Sequence, residues 1–219
     1  MSSMPSSFER RDRTSSLIQE EPFFGKGLFA DESNFEMRFV EKYERITDIV
    51  EALRVLGMRV VLTSGSFDII HEGHSMYLEA ARKFGDFLIV GLDSDEKIRL
   101  RKGRNRPAVP EMERLRMVTH QRGVGLVTLK QTEHPRWSLI EAVRPDVLVA
   151  TADTYKPDEI TELQKNYCGR VEVLERMATV STSARLRRIQ LGISDMGEGG
   201  SAGIPEAGVP ESQSTGKPC

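Results

Sequence analysis

Thr63-Ser64-Gly65-Ser66-Phe67-Asp68-Ile69-Ile70-His71-Glu72-Gly73-His74 begins where a short β-branched run, residues 59–63, stops and ends where helical spacing, residues 73–84, starts. A strand that turns through glycine into a helix is the outline of an anion site. Glycine lets the backbone come close to a ligand, and the free N–H groups and dipole at the next helix's N-terminus favour negative charge. Ser64, Gly65, Ser66 and Phe67 make the turn, and Gly65 and Gly73 are expected to supply its freedom. His71 and His74, three positions apart across Gly73, can point two imidazoles at one phosphate and donate hydrogen bonds to charge developing on its oxygens. A single histidine at a helix start is more often a cap or a surface residue. Here two of the chain's four histidines fall within one such segment, directly after a strand and a glycine turn, which is the context a phosphate site requires. Zinc fits less well, because the metalloprotease pattern H-E-x-x-H spaces its histidines four apart and no third ligand cluster is evident.

On either side of this segment the periodicity alternates. In residues 41–56, Ile46, Ile49, Val50 and Leu53 repeat at helical spacing, and Gly57 follows as a stop. Residues 86–92 form a nearly unbroken apolar run, as a strand buried on both faces requires. Further on, residues 111–122, 136–143, 158–166 and 182–190 read as helices, and 126–129, 146–150 and 171–174 as strands. Strands alternating with helices imply an α/β fold, a Rossmann-like doubly wound parallel sheet with its ligand crevice at the carboxyl ends of the strands. The expected organisation is a disordered N-terminus at 1–20, an arm at 21–40 that docks on a surface or across a dimer, one domain at 41–191, and a disordered Gly-, Ser-, Pro- and Glu-rich tail at 192–219. The segment Arg122-Gly123-Val124-Gly125 has no functional account at this level.

Composition narrows the classes of partner. Lys and Arg number 31 against 33 Asp and Glu, for a net charge of −2, which leaves no whole-chain footprint for nucleic acid or a membrane surface. No apolar run approaches the roughly 20 residues a membrane span needs, and residues 1–16 lack a signal-peptide core. The expected setting is cytoplasmic and the expected partner a small molecule. Cys168 and Cys219 are too far apart in sequence, and too few, to read as a disulfide framework, a zinc knuckle or a redox pair.

Gly65-Ser66-Phe67-Asp68 followed by His71-Glu72-Gly73-His74 resembles the first signature of the cytidylyltransferase-like nucleotidyltransferases, which share this histidine motif with class I aminoacyl-tRNA synthetases. No K-M-S-K-S-like loop accompanies it. A second segment, Ser181-Thr182-Ser183 leading into Arg188-Ile189, is similar to the S-T-[ST] segment that caps the family's last helix against nucleotide phosphates. Alone it would read as a helix N-cap. The resemblance spans residues 46–191. In the family a lysine ahead of glycine, in the loop after the second strand, reaches the phosphates. Lys102, in Lys102-Gly103-Arg104-Asn105-Arg106-Pro107, inherits that role, although on charge alone this run reads as a solvated basic loop. Arg106, Arg114, Arg188 and Asp93 are secondary candidates for substrate or phosphate contacts, and Arg114 follows Glu113 in a Glu-Arg pair that an exposed helical ion pair would imitate.

The resemblance implies a reaction in which a phosphate oxygen of an acceptor attacks the α-phosphorus of a nucleoside triphosphate and pyrophosphate leaves, with magnesium accompanying the triphosphate and no metal ligand assigned to the protein. The run from Gly91-Leu92-Asp93-Ser94-Asp95 to Arg106-Pro107, and Arg144-Pro145-Asp146-Val147-Leu148-Val149 leading to Asp153, are similar to sugar-phosphate adenylyltransferases of the heptose 1-phosphate type, which favours ATP and a sugar phosphate. Thr151-Ala152-Asp153-Thr154 departs from the Gly-Gly-Asp-Tyr run of that type. The triplet at 181–183 and the Glu113-Arg114 pair are also similar to choline-phosphate and ethanolamine-phosphate cytidylyltransferases, which would use CTP, and residues 102–110 to archaeal-type flavin adenylyltransferases. A nucleotide-binding regulatory protein without turnover is the alternative from another class, distinguished by a blocked pocket near Asp153. A homodimer is the expected assembly.

Overall fold

The computed structural model describes residues 34–175 together with Met177 and Arg187. The chain divides into two compact units, Met1–Thr182 and Ser183–Cys219. The strands and helices named below all belong to the first, and of the second only Arg187, a helical residue, is described. The expectations for residues 1–20 and 192–219, for a helix at 182–190, and for Ser181, Thr182, Ser183, Arg188 and Cys219 lie outside the described residues.

Five parallel strands form one sheet in the order β3-β2-β1-β4-β5: β1 Val60–Gly65, β2 Phe87–Asp93, β3 Val124–Lys130, β4 Val147–Thr151 and β5 Arg170–Leu174. The helices are α1 Phe35–Arg38, α2 Tyr43–Val55, α3 Glu72–Arg82, α4 Asp95–Lys102, α5 Glu111–Thr119, α6 Ser138–Val143 and α7 Pro157–Asn166. The Rossmann-like parallel architecture expected from the alternating periodicities is the one observed. Strand order reverses between β1 and β4, the place where such sheets open a crevice for ligands.

The two faces of the sheet are written in the period-2 alternation of its strands. Along β1, Val60 and Leu62 face a cluster with Ile46, Val50 and Leu53 of α2, Leu139, Ile140 and Val143 of α6, and Leu163 of α7. Val61 faces the opposite cluster, with Tyr77, Leu78 and Ala81 of α3 and Leu115 and Val118 of α5. Thr63 continues on that side and meets the Tyr77 hydroxyl at 2.7 Å. The α2 stripe of Ile46, Val50 and Leu53 is the helical spacing read from the sequence. Its end is a Schellman turn, with Gly57 at φ +75, its N–H donating to Arg54 O at 2.9 Å and Met58 N–H donating to Leu53 O at 3.0 Å. Truncating a fully buried member such as Leu62 would cost about 2–5 kcal/mol.

Two segments that the sequence left open take definite places. The described part of the arm, residues 34–40, docks on its own chain. Phe35 and Val40 are buried, Val40 N–H donates to Val127 O at 3.0 Å, Phe39 bridges Val127 in parallel register, and the Arg38 guanidinium donates to the carbonyls of Gly125 and Val124. This covers the otherwise open β3 edge. Residues 122–125 acquire a packing role. Gly123 takes φ +87 in the turn out of α5, and a Cβ on Gly125 would come within 2.6 Å of the Phe87 ring. Cys168 is a free thiol, and among the described residues no helix is long and apolar enough to cross a membrane.

Candidate active site

β1 delivers Ser64 and Gly65 to the carboxyl edge of the sheet, and the chain turns through Ser66 and Phe67 towards α3. The left-handed residue of this turn is Phe67, at φ +45, and not a glycine as the sequence suggested. A bulky side chain at positive φ is strained, and burying its ring to 4% exposure offsets that strain. A Cβ on Gly65 would approach the Phe67 ring to 3.1 Å, so Gly65 serves close packing of the turn. Gly73 is a buried residue of the first turn of α3.

His71 is the N-cap of α3, and its carbonyl accepts from His74 N–H at 2.8 Å. The two imidazoles stack with centroids 4.0 Å apart and planes 23° from parallel, because positions three apart share one helix face. Phe67 lies against His74 at 5.4 Å. His74 hydrogen-bonds the Ile69 backbone, and burial, His71 and the Lys102 charge together push its pKa down to about 4. It is therefore neutral at pH 7. Its Nδ1 is buried without a hydrogen-bond partner, a costly state for a polar nitrogen and one that an incoming anion relieves once that nitrogen carries a proton.

Behind the turn is a buried strut that no local sequence pattern announces. Arg114, 0% exposed, donates to Ser66 O at 2.6 Å, to Asp93 O at 3.0 Å, to Val109 O at 2.9 Å and to Asp95 Oδ1 at 2.7 Å. The guanidinium is spent on the protein and does not line the cavity, so the expected phosphate contact and the pairing with Glu113 give way to a structural link between the ends of β1 and β2. Arg106 is also turned inward. Its side chain is 11% exposed and pairs with Asp68 at 2.6 Å. Asp68 accepts as well from Ala108 N–H at 2.8 Å and Val109 N–H at 3.0 Å, so one buried carboxylate fastens the 106–109 loop to the phosphate turn.

Lys102 is the last residue of α4 and not part of a loop. Burial and the neighbouring Arg101 and Arg106 charges lower its pKa, against Asp68 and Asp93. α4 escaped the sequence reading because DEKIRLRK buries only Ile98 and so carries no apolar stripe. Its capping signals were legible, with Ser94 Oγ accepting from Lys97 N–H at 3.2 Å, acids in the first turn and bases in the last.

In front of these groups, across the carboxyl ends of β1 to β4, opens a cavity of about 620 Å³. It brings together Ser64, Gly65, Ser66, Asp93, Lys102 and Asp153 of the expected residues. The histidine pair, Phe67 and Gly73 stand outside its lining, with His74 near enough to Lys102 to feel its charge. On the β4 side Thr151 Oγ1 donates to Asp153 Oδ1 at 2.9 Å and meets Thr154 Oγ1 at 2.9 Å, so hydroxyls close the turn where glycines were expected. The cavity also takes in residues that the sequence reading passed over, among them Tyr43, Lys97, Arg101, Lys130, His134 and Trp137. Among the described residues no group of three or more His, Cys, Asp or Glu is placed to hold a metal ion.

Comparison with known proteins agrees with this geometry. Residues 62–188 match the family model described as cytidylyltransferase-like. The chain is 36% identical over 151 residues to the bifunctional protein HldE of Desulfatibacillum aliphaticivorans, covering 68% of this chain, and 38% identical over 148 residues to that of Syntrophotalea carbinolica, covering 67%. It spans about 30% of the length of both relatives. A lipopolysaccharide core biosynthesis protein from Thermoplasma volcanium is similar at 28% identity and a TM-score of 0.47, over 55% of this chain and 97% of that one. The family model covers more than half of the 219 residues and takes in the phosphate turn, the histidine pair and Lys102, and the chain belongs to the cytidylyltransferase-like family.

Proposed function

We propose that this chain is a nucleotidyltransferase that moves a nucleoside monophosphate, with ATP the favoured donor, onto a phosphorylated small molecule of the sugar phosphate class. The observation that carries this reading is the stacked His71–His74 pair at the start of α3, with a buried and unpartnered His74 Nδ1 beside a strand-end turn and Lys102. The heptose-type runs at 91–107 and 144–153 support the sugar phosphate.

In this reading the triphosphate lies along the turn from Ser64 to Phe67. An oxygen of the acceptor phosphate attacks the α-phosphorus in line. The bond from that phosphorus to the oxygen bridging to the β-phosphate breaks, and pyrophosphate leaves with the electron pair. Little covalent chemistry is asked of the protein, so catalysis is positioning and electrostatic stabilisation. His71 donates to the α- and β-phosphate oxygens, as does His74 once the bound anion has raised its pKa and it has taken up a proton, and Lys102 bridges the acceptor and α-phosphates. The described carboxylates of the cavity do not fit a metal cage, because Asp93 is paired with Arg101 and Lys130 and Asp153 is bonded to Thr151. Magnesium therefore belongs to the substrate, carried on the triphosphate.

A protein that had kept the fold but lost turnover would show a filled pocket near Asp153. Asp153 instead lines the open cavity, which supports a working site. The test is pyrophosphate release with magnesium, crossing ATP and CTP against heptose 1-phosphate, other sugar 1-phosphates, glycerol 3-phosphate, phosphocholine, phosphoethanolamine and flavin mononucleotide. Release in an ATP and sugar phosphate pairing, abolished by His74→Ala, is the expected result. Silence in every pairing while nucleotide still binds would hand the site to a regulatory role.

A further inference from the structure

The cavity has a second end that the transfer reaction leaves unused. At the last residues of β2 and β3, Asp93 and Lys130 sit side by side in parallel register. The Asp93 carboxylate, 3% exposed, is held between Arg101 at 2.8 Å and Lys130 at 3.4 Å. Arg101 also donates to Ser66 Oγ at 2.8 Å, so this array starts at the phosphate turn and runs outward along the strand ends. Lys97 lies on the Arg101 face of α4, four residues earlier, and lines the same cavity. Its Nζ donates to Gln131 O at 3.4 Å, and among the described residues it makes no ion pair.

Three cations thus gather about the buried Asp93, with Glu133 the second acid whose charge reaches Lys97, so positive charge stays in excess in a concave site. Burial and the neighbouring Lys130 and Arg101 lower the Lys97 pKa, and Asp93 and Glu133 do not reverse the shift. Holding like charges together in a partly desolvated place is unfavourable unless an anion joins them. The strands that carry Ser64 and Lys130 are two spacings apart, about 10 Å, so the Lys130 end of the array is offset from the turn by more than one phosphate can bridge, while Arg101 reaches back to Ser66. The wall beside it is aromatic and polar, with Tyr43 against His134 at 4.5 Å and Trp137 held at φ +70, a strained conformation that tends to mark binding segments.

We propose that Lys97, Lys130 and Arg101 form a second anion subsite, which binds an acidic group at the far end of the acceptor from its attacking phosphate. The acceptor is then a sugar carrying two acidic groups, either two phosphates or a phosphate and a carboxylate. This rests on the reading of the cavity as a nucleotidyltransferase site.

The test uses the full chain, with the nucleotide position saturated by magnesium and the non-hydrolysable ATP analogue that carries a methylene bridge between its α- and β-phosphates. Three matched probes are titrated: glucose 1-phosphate, glucose 1,6-bisphosphate and glucuronic acid 1-phosphate. Trp137, the chain's sole tryptophan, reports by its fluorescence, and calorimetry provides the affinities. Both doubly acidic sugars are expected to bind at least about tenfold more tightly than glucose 1-phosphate. That advantage should fall to within about twofold in Lys97→Gln, and disappear in Lys97→Gln with Lys130→Met, while nucleotide affinity is unchanged. Lys97→Gln breaks no ion pair of the described residues, so it keeps the test independent of folding.

A preference for only one doubly acidic sugar, lost in Lys97→Gln, would identify the second group as phosphate or carboxylate. Equal affinities for all three sugars, no sugar binding, or an advantage that survives in the double variant would overturn the subsite. Nucleotide affinity falling together with the advantage would assign the cluster to the triphosphate instead. Failure of the parent reading is read separately, as no pyrophosphate release in any donor and acceptor pairing, an outcome that these binding titrations do not depend on.

Discussion

The phosphate turn and the outer wall of the cavity are built on different principles. In the turn, residues 64–74, the groups presented are backbone atoms and two imidazoles, and the segment is fixed from behind by buried partners: Arg114 under Ser66, Asp68 under the 106–109 loop, Phe67 against His74. In the wall, the groups are long side chains from α4, the end of β3 and the start of α6, and those of Arg101 and Arg136 are more than half exposed. Arg136, for example, pairs with Glu159 while 67% exposed. Rigid, near-backbone construction suits a reaction whose transition state must meet fixed donors. Adaptable side chains on separate elements suit substrate choice, which can change without disturbing the chemistry.

If that division is real, the largest effect should follow from cutting the strut beneath the turn. Arg114→Met leaves Asp95 and three carbonyls without their buried donor and is expected to lower stability by about 3–5 kcal/mol, measured by urea denaturation with circular dichroism. A loss under about 1 kcal/mol would mean that the turn does not depend on it. Next, His74→Ala should reduce turnover by roughly 100- to 1000-fold with its melting temperature little changed. A change confined to KM would move His74 from the reaction to binding alone.

A smaller effect comes from pH. The folded pKa of His74 is about 4, below the ordinary value of about 6.5 in the unfolded chain, so between those values the unfolded state binds more protons. The stability contribution is complete above about pH 6.5 and is lost as pH falls towards about 4. His74→Asn should flatten that limb in denaturation midpoints taken across the window. The same logic makes nucleotide binding take up a proton, because an anion raises the pKa it meets. Calorimetry in buffers of different ionisation enthalpy should show this uptake near about pH 5.5 in the parent and not in His74→Asn. The smallest effect is expected at the wall, where Arg136→Ala should cost less than about 1 kcal/mol of stability. A larger loss, seen in the same urea titration, would show that the wall is as rigidly built as the turn.

The two regions also differ in how far the sequence revealed them. The turn is local: strand, glycine, paired histidines and helix start follow one another within twelve positions, so one reading frame contains both the structure and its chemistry. Even there, the positive φ belongs to Phe67, because the side chain that can be buried against Gly65 decides which residue bears the strain. Asp68 stands within the motif, yet its role depends on a loop forty residues later. Arg114 resembles a surface helix residue, since nothing local distinguishes a buried guanidinium from a solvated one.

By itself, then, the sequence determined the parallel α/β architecture, the strand-end turn into α3 and the closeness of His71 and His74, because periodicity and motif spacing act over a few residues and survive any tertiary arrangement. The tertiary structure alone decided that residues 34–40 close the sheet edge, that Arg114 and Arg106 face inward, and that Lys97, Arg101 and Lys130 converge on Asp93. Those outcomes depend on which strand ends lie side by side. Parallel pairing brings Asp93 next to Lys130 across thirty-seven positions of chain, a separation over which no local pattern carries information.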